Sequence, residues 1–298
     1  MDITYYYDEF LDYLKGEKDV SKHTIKNYST DFKQFVSFLK AKGIKPSLHT
    51  VTTPILRRYV AHLKTEKNYA TYTIRRRIHS LSSYYKFLIE QGYLTQNPML
   101  PIHAPKAPDV IPKFLSETEI EQLLKMPEKL SPENALRNRV ILMMFLMTGM
   151  RRQELLALDW EDIDFGEKMI TVKHAKGKKQ RVIPITEPLL SELWKYLQTR
   201  LPITNHAVFI SQYGNRLSAT PLSQTIRRYM KYLGLDKKGY TIHTLRHTYA
   251  SHLALNGVSI LSIQKLLGHS DLNSSQVYAH VNTNHLRTEV QKLPFASK

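Results

Sequence analysis

Two short segments place charged residues where they could bind a phosphate. Arg151 stands two residues after Gly149, and Glu154 follows three residues later, where its carboxylate could orient the arginine. His243 and Arg246 are spaced i, i+3, so they lie on one face of any helix that contains them. A guanidinium fits two phosphate oxygens, and a histidine can transfer protons near neutral pH. The spacing therefore predicts a site for phosphate chemistry.

Each segment also has a simpler interpretation. Arg151 could be a surface arginine that pairs with Glu154 at helical spacing. His243, His247 and His252 could bind a metal, because the first two are spaced i, i+4. No glutamate completes the His-Glu-x-x-His arrangement, so the sequence predicts no metal site. The absence of cysteine excludes a thiolate nucleophile, a disulfide framework and a cysteine-bound zinc ion.

Tyr278 is the candidate nucleophile near the end of the chain. It follows nine residues after His269, which comes directly after Gly268. A phenol has a pKa of about 10, so it needs cationic neighbours and a proton acceptor before it can attack. Tyr278 is one of 18 tyrosines, so its role depends on whether the fold brings the arginines and histidines beside it.

The elements that must position these residues are predicted to be mostly helices. Ser21 is a candidate cap for a helix with apolar residues at three- and four-residue spacing, and Ser116 with Glu119 forms a capping-box pattern. The β-type runs Met169–His174 and Gln180–Ile185 predict a hairpin. These patterns favour a mainly α fold with a small antiparallel β-sheet. Further predicted helices cover Pro54–Lys67, Thr71–Gln91, Val140–Met147, Leu189–Arg200, Leu222–Leu233, His243–Asn256, Ile260–Leu267 and Asn273–His280.

Five prolines between residues 94 and 112 predict a linker. It divides the chain into a helical domain over residues 1–100, a linker over 101–112 and a second domain over 113–298. The segment up to residue 112 has 17 basic and 10 acidic residues, and the rest has 26 and 16. Both parts are basic, so both are expected to contact the same polyanion.

The net charge of +17 favours nucleic acid as the partner over an anionic membrane or a general basic bias. The N-terminal residues include acidic side chains and no apolar run, which argues against a signal peptide. The longest apolar run, Val140–Met147, is too short to span a membrane. We therefore expect a soluble protein of the cytoplasm. The candidate DNA contacts are Arg75, Arg76, Arg77, Lys178, Lys179, Arg227 and Arg228.

The order of the candidate residues resembles the tyrosine recombinase (phage-integrase) family over nearly the whole chain. Three segments are similar to its Xer-type members, namely TGMRRQELLAL, HTLRHTYASHL and LLGHSDLNSSQVYAHV. In that family a catalytic lysine stands in a β-hairpin turn, which here is the basic turn 175–179. Lys176 fits best because it precedes Gly177, and Lys178 or Lys179 are the alternatives. The catalytic set implied by the resemblance is Arg151, Lys176, His243, Arg246, His269 and Tyr278.

The resemblance also implies a mechanism that needs neither metal, ATP nor other cofactor. Tyr278 attacks the scissile phosphorus and forms a 3′-phosphotyrosyl bond, which the 5′-hydroxyl of a partner strand then attacks. The two arginines of the set hold the nonbridging oxygens, and Glu154 orients the first of them. Lys176 is the general acid for the leaving 5′-oxygen. His243 and His269 donate hydrogen bonds to the phosphate, and His243 can also accept the proton of the tyrosine.

The implied partner is double-stranded DNA with a short specific recombination site. The two domains are expected to form a clamp around the duplex, with a helical core-binding (SAM-like) domain followed by the catalytic domain. Four protomers act on two sites through a Holliday junction, as a homotetramer or together with a related recombinase, and a regulatory protein can gate them. The chain after Tyr278 is expected to end in a tail that docks on a neighbouring protomer, with a frayed tail as the alternative.

Within the family the resemblance favours a Xer-like role in resolving chromosome or plasmid dimers. Helical features begin almost at Met1, so we expect no additional arm-binding domain. A phage or mobile-element integrase of minimal size is the alternative role. Two further alternatives are a type IB topoisomerase-like enzyme and a DNA-binding protein that retains the fold without catalysis.

Overall fold

The computed structural model describes residues 2–18, 20–106, 112–173 and 180–268 of the chain. The chain divides into two compact units, Met1–Asp109 and Val110–Lys298. Each unit has a hydrophobic core of its own. The division falls within the segment that the prolines marked as a linker. Within the described ranges, no helix is long and apolar enough to cross a membrane.

The N-terminal unit is helical and has an aromatic core. Ser21 begins the second helix as predicted, because its Oγ accepts a hydrogen bond from the Thr24 N–H at 3.2 Å. The rings of Tyr7 and Phe32 stack with their centroids 3.6 Å apart and tie the first helix to the second. The first helix was not among the predicted elements. The helices are α1 (Tyr7–Gly16), α2 (Lys22–Ala41), α3 (Thr53–Thr65) and α4 (Thr71–Glu90).

The C-terminal unit is also mainly helical. Its first helix begins with the predicted capping box, in which Ser116 N donates to Glu119 Oε2 at 2.9 Å and Glu119 N donates to Ser116 Oγ at 3.3 Å. The predicted helix Asn273–His280 lies outside the described residues. The described helices are α5 (Glu117–Leu124), α6 (Met126–Leu130), α7 (Ala135–Thr148), α8 (Arg152–Ala157), α9 (Glu187–Gln198), α10 (Ala219–Tyr232), α11 (Ile242–Leu255) and α12 (Ile260–Leu267).

A small antiparallel sheet accompanies these helices. Its strands are β1 (Ile163–Asp164), β2 (Met169–Val172) and β3 (Arg181–Pro184), in the order β1-β2-β3. The pairing of β2 with β3 confirms the two predicted hairpin strands, although both are shorter than predicted. Arg181, the first residue of β3, is the register partner of Val172. The predicted turn between the strands lies outside the described residues.

The helix α7 forms the centre of the C-terminal core because it is apolar around most of its circumference. It packs against α9 and α11, while α12 packs against α11 and β3. The chain leaves α7 through Gly149, which has a left-handed φ of +61°. A Cβ at this position would lie 2.4 Å from Tyr249 Cδ1 and 2.9 Å from Leu267 Cδ2. Glycine is therefore required both by the backbone angle and by the close packing of α11 and α12.

We expect Gly149→Ala to lower the free energy of unfolding by about 3 kcal/mol, because it adds a packing clash to the cost of the left-handed backbone. Gly234→Ala is the matched control, since Gly234 has a φ of +69° with nothing within 4 Å of an added Cβ. That control should cost only about 1 kcal/mol. Urea denaturation of the three proteins measures both values, and equal losses would contradict the packing argument.

Candidate active site

Glu154 fixes the start of α8 and the arginine that precedes it. The backbone N–H of Arg151 donates to Glu154 Oε2 at 2.7 Å, and Arg151 Nη1 donates to Glu154 Oε1 at 2.8 Å. The carboxylate thus caps a free N–H at the helix start and also binds the guanidinium. The predicted pairing of Arg151 with Glu154 is present, but it is not a surface pair. The Glu154 side chain is 2% exposed, whereas the Arg151 side chain is 39% exposed.

A second arginine binds the same carboxylate. Arg181 reaches from β3 and donates from Nη1 to Glu154 Oε1 at 2.9 Å and from Nη2 to Oε2 at 2.7 Å. Burial alone would raise the pKa of Glu154. The hydrogen bonds from Arg181 and Arg151 and the charge of Arg181 outweigh it and lower this pKa from 4.5 to about 2. Glu154 is therefore ionised at neutral pH.

The second predicted arginine, Arg246, is buried on α11. Its Nη1 donates to the carbonyl of Gly149, and its Nη2 donates to the carbonyl of Leu267 at 2.6 Å. Gly149 is the residue that leads from α7 towards Arg151. The same guanidinium therefore links the chain before Arg151 to the end of α12, and the two predicted arginines lie at one place in the fold.

The guanidinium groups of Arg151, Arg181 and Arg246 all bind backbone carbonyls at the C-terminal end of α12. Arg181 Nε donates to Leu266 O at 2.9 Å, Arg246 Nη2 to Leu267 O at 2.6 Å and Arg151 Nη2 to Gly268 O at 3.3 Å. Carbonyls in the last turn of a helix have no partner within the helix, and the helix dipole makes this end negative. Three consecutive carbonyls thus bind three positive side chains next to each other.

His243 lies in the first turn of α11, one turn before Arg246. Its imidazole remains accessible to solvent, but the surrounding protein lowers the pKa of His243, and the positive charges of Arg152 and Arg246 lower it further. The surrounding protein and the charges of His243 and Arg246 lower the pKa of His247 in the same way. A neutral imidazole beside two arginines can accept a proton at neutral pH, which is the chemistry expected of His243.

Several predicted site residues lie outside the described residues. They are Lys176, Lys178, Lys179, His269 and Tyr278. The structure does describe the segments that lead to them. Arg181 begins the strand that follows the basic turn, and Gly268 ends α12 directly before His269. Arg181 and the end of α12 therefore lead in sequence to two of the predicted catalytic segments.

The three predicted arginines of the N-terminal unit, Arg75–Arg77, all form contacts within that unit. Arg76 and Arg77 both approach the carboxylate of Asp31, which is 1% exposed. Arg77 is itself 5% exposed and lies over the ring of Tyr69 at 4.0 Å. Arg75 donates from Nη1 to the carbonyl of Pro105 at 2.6 Å. Arg75 and Arg76 are partly accessible, so a direct DNA contact is proposed for these two and not for Arg77.

The candidate contacts on α10 differ from each other. Arg227 is exposed. Arg228 donates to the hydroxyl of Ser131, which also accepts a hydrogen bond from Tyr229 at 2.9 Å. Arg228 thus also closes a hydrogen-bond network within the unit, and both arginines remain candidates for a DNA contact.

The metal alternative for the histidines has no geometric support. Among the residues that the structure describes, no group of three histidine, aspartate or glutamate side chains could hold an ion. His252 instead forms a hydrogen bond from Nε2 to the carbonyl of Leu115 at 2.9 Å. It therefore helps to attach the segment before α5 to α11.

Arg181 is the site residue that sequence reasoning missed. Its carboxylate partner is 27 residues away in the sequence, so no local spacing indicates the pair. The one available signal is its position, because it is a charged residue that begins a short strand directly after the basic turn. Alone, that signal also fits an ordinary solvated strand end.

Comparison with known proteins identifies the family of the chain. Residues 7–92 match the phage integrase N-terminal SAM-like domain, and residues 113–285 match the phage integrase family. The chain belongs to the phage integrase family. It is a tyrosine recombinase, an enzyme that cleaves and rejoins double-stranded DNA at specific sites. The predicted fold class and reaction are confirmed.

Relatives share this identity over most of their length. The tyrosine recombinase XerC of Bacillus licheniformis is 37% identical over 289 residues, which cover 93% of this chain and 92% of that protein. XerC of Thermodesulfovibrio yellowstonii is 33% identical over 291 residues, covering 95% and 93%. The fold is similar to the crystal structure of the XerH site-specific recombinase bound to palindromic difH substrate, with a TM-score of 0.75, 22% identity and coverage of 90% and 79%.

We expect Glu154→Gln to lower the free energy of unfolding at pH 7 by about 3 kcal/mol, the value of a pKa shift from 4.5 to about 2. A carboxylate with a lowered folded-state pKa stabilises the fold above its unfolded pKa and loses this effect as the pH falls through the folded pKa. The difference in the free energy of unfolding between the variant and the native protein should thus have its largest value above about pH 5 and should decrease towards pH 2. Urea titrations along this range test it.

The control for this prediction is Glu121→Gln, which changes an exposed glutamate of α5. It should leave the free energy of unfolding within about 0.5 kcal/mol of the native value. A Glu154→Gln difference that stays constant from pH 7 to pH 3 would contradict the proposed ionisation of Glu154.

We expect the imidazole of His243 to titrate below its ordinary pKa of 6.5 in the DNA-free protein. Arg152→Gln should raise this pKa, because it removes a positive charge that disfavours the imidazolium. Exposed Arg227→Gln is the control and should leave the titration unchanged. An NMR pH titration of the histidine ring resonances measures all three midpoints. If Arg152→Gln does not change the midpoint of the His243 titration, the charge of Arg152 does not act on His243.

Proposed function

We propose that this recombinase cleaves DNA with Tyr278 as its nucleophile and conserves the bond energy in a 3′-phosphotyrosyl link. The observation that carries the proposal is the joint placement of Arg151 and Arg246 at the carbonyl end of α12, with His243 one turn before Arg246. Two guanidinium groups held at one point provide the positive charge that a pentacoordinate phosphate requires. Tyr278 stands nine residues beyond His269, and His269 directly follows Gly268 at the end of α12.

Each residue has a role that follows from where charge develops. Arg151 and Arg246 bind the nonbridging oxygens, whose negative charge grows in the transition state, and the loss of one such donor costs about 3 kcal/mol of barrier. The phenol proton of Tyr278 passes to His243 as the phosphorus–oxygen bond forms. The bond to the 5′-oxygen breaks at the same time, and Lys176 supplies the proton that this oxygen takes.

His269 and Glu154 complete the set without moving the phenol proton. His269 donates a hydrogen bond to the phosphate. Glu154 keeps Arg151 in place, as its hydrogen bonds with both the backbone and the side chain of that arginine support. In the second step the 5′-hydroxyl of the partner strand attacks the phosphotyrosyl bond and releases Tyr278, so no cofactor has to supply energy.

The biological role that we propose is Xer-like resolution of chromosome or plasmid dimers in the cytoplasm. Four protomers exchange strands between two short sites through a Holliday junction, as a homotetramer or together with a related recombinase, and a regulatory protein gates them. The similarity to XerC proteins over more than nine-tenths of the chain supports this role. Mapping covalent cleavage sites on genomic DNA tests it, because a dimer-resolving enzyme should cleave one intrinsic chromosomal or plasmid site. Cleavage at the ends of a mobile element would favour a minimal integrase instead.

We expect Tyr278→Phe to bind the mapped site with unchanged affinity and to form no covalent adduct on a nicked suicide duplex, because the phenyl ring lacks the attacking oxygen. Tyr232→Phe is the matched control, since Tyr232 is an exposed tyrosine of the same unit. The control should form the adduct at the native rate. Denaturing gel electrophoresis measures the adduct, and an adduct that persists in Tyr278→Phe would overturn the assignment of the nucleophile.

A further inference from the structure

We propose that Arg181 is a positioning residue for the reaction, and that it acts by holding Glu154 so that Arg151 faces the scissile phosphate. The inference rests on the proposed phosphate-binding role of Arg151 and adds a residue outside the predicted catalytic set. It starts from the geometry of one carboxylate between two guanidinium groups. Arg181 binds both oxygens of Glu154, at 2.9 and 2.7 Å, whereas the Arg151 side chain binds one oxygen through Nη1.

This unequal sharing determines how Arg151 is oriented. A guanidinium and a carboxylate alone prefer a fork-to-fork pair that uses both oxygens. Arg181 already forms that pair, and the backbone N–H of Arg151 takes a further position on Oε2. The Arg151 side chain is therefore limited to a single-nitrogen contact with the carboxylate. This contact leaves the Arg151 side chain 39% exposed, while the Arg181 side chain is 8% exposed.

Arg181 also joins three segments that lead to predicted catalytic residues. It is the first residue of β3, after the basic turn that contains Lys176. Its Nε donates to the carbonyl of Leu266 at 2.9 Å, and its Cδ would lie 2.9 Å from a Cβ added at Gly268. The side chain thus fixes the end of α12 directly before His269, and it fixes the start of α8 through Glu154. A lysine has one ammonium group and cannot make this set of contacts.

Arg200 provides a matched comparison within the same unit. Its guanidinium donates to the carbonyls of Ala207, Val208 and Asn205 at 3.1, 2.7 and 3.1 Å. It is thus an arginine with a comparable number of hydrogen bonds, and none of these three bonds involves Arg151 or Glu154. Arg200→Met therefore reports what the loss of a structural arginine does to the reaction.

The test compares single-turnover cleavage of two nicked suicide duplexes that carry the mapped site. One has an ordinary scissile phosphate, and the other has a methylphosphonate, in which a methyl group replaces a nonbridging oxygen and removes the negative charge. We expect Arg181→Met to slow cleavage of the phosphate by about 10²-fold, because a guanidinium displaced by about 1 Å loses the oxyanion. The cleavage rate should fall much less on the methylphosphonate, because it lacks the negative charge that Arg151 binds. The affinity of the variant for the DNA site should not change.

Three comparisons separate a positioning role from a structural one. Arg200→Met should show the same relative rate on both duplexes. Adding Arg181→Met to the Arg151→Met protein should not slow cleavage any further, because both changes remove the same interaction. Arg181→Lys should resemble Arg181→Met, since it keeps the charge without the two-pronged contact, and it serves as the second variant if Arg181→Met does not fold. Equal losses on both duplexes, additive effects with Arg151→Met, or failure of both variants to fold would overturn the inference.

The proposed function fails in a different way. If the native protein forms no adduct on the phosphate duplex, Tyr278 is not acting as proposed, whatever the Arg181 variants do. If the native protein forms the adduct and the Arg181 variants cleave both duplexes at the native rates, the proposed function stands and the role of Arg181 is wrong.

Discussion

The site depends on bringing three positive side chains together without letting their repulsion separate them. Arg151, Arg181 and Arg246 each donate to one of three consecutive carbonyls at the end of α12. The negative end of the helix dipole and the buried carboxylate of Glu154 offset the repulsion. The two arginines that we propose to bind the phosphate are therefore held side by side in the DNA-free protein, as a preorganised site for a phosphate transition state requires.

Several elements of the C-terminal unit position these three arginines. The buried helix α7 ends at Gly149, whose left-handed backbone and missing Cβ allow Tyr249 and Leu267 to approach closely. That approach places the Gly149 carbonyl where Arg246 can bind it. The antiparallel pairing of β2 with β3 supplies the strand from which the third arginine reaches Glu154. The core thus determines the distances between groups that come from four separate segments of the chain.

Local patterns predicted much of this arrangement, and long-range pairing accounts for what they missed. The spacing of Arg151 and Glu154 predicted their ion pair, and the predicted helix Ile260–Leu267 has the bounds of α12. Arg181 was missed because its partner lies 27 residues away and no local spacing signals it. The burial of Arg77 was missed for the same reason, since Asp31 comes from another helix. The helix α1 was missed as well, although its aromatic residues pack on α2.

Crystal structures of the Tyr278→Phe protein with and without its DNA site would test the central claim most directly. We predict that the guanidinium groups of Arg151 and Arg246 occupy the same positions in both, within about 1 Å, as for other preorganised interfaces. Glu154 should remain between Arg151 and Arg181 in the DNA-free protein. A DNA-free structure in which Arg151 lies away from Glu154, or Arg246 away from the carbonyl end of α12, would contradict a site assembled before DNA binds.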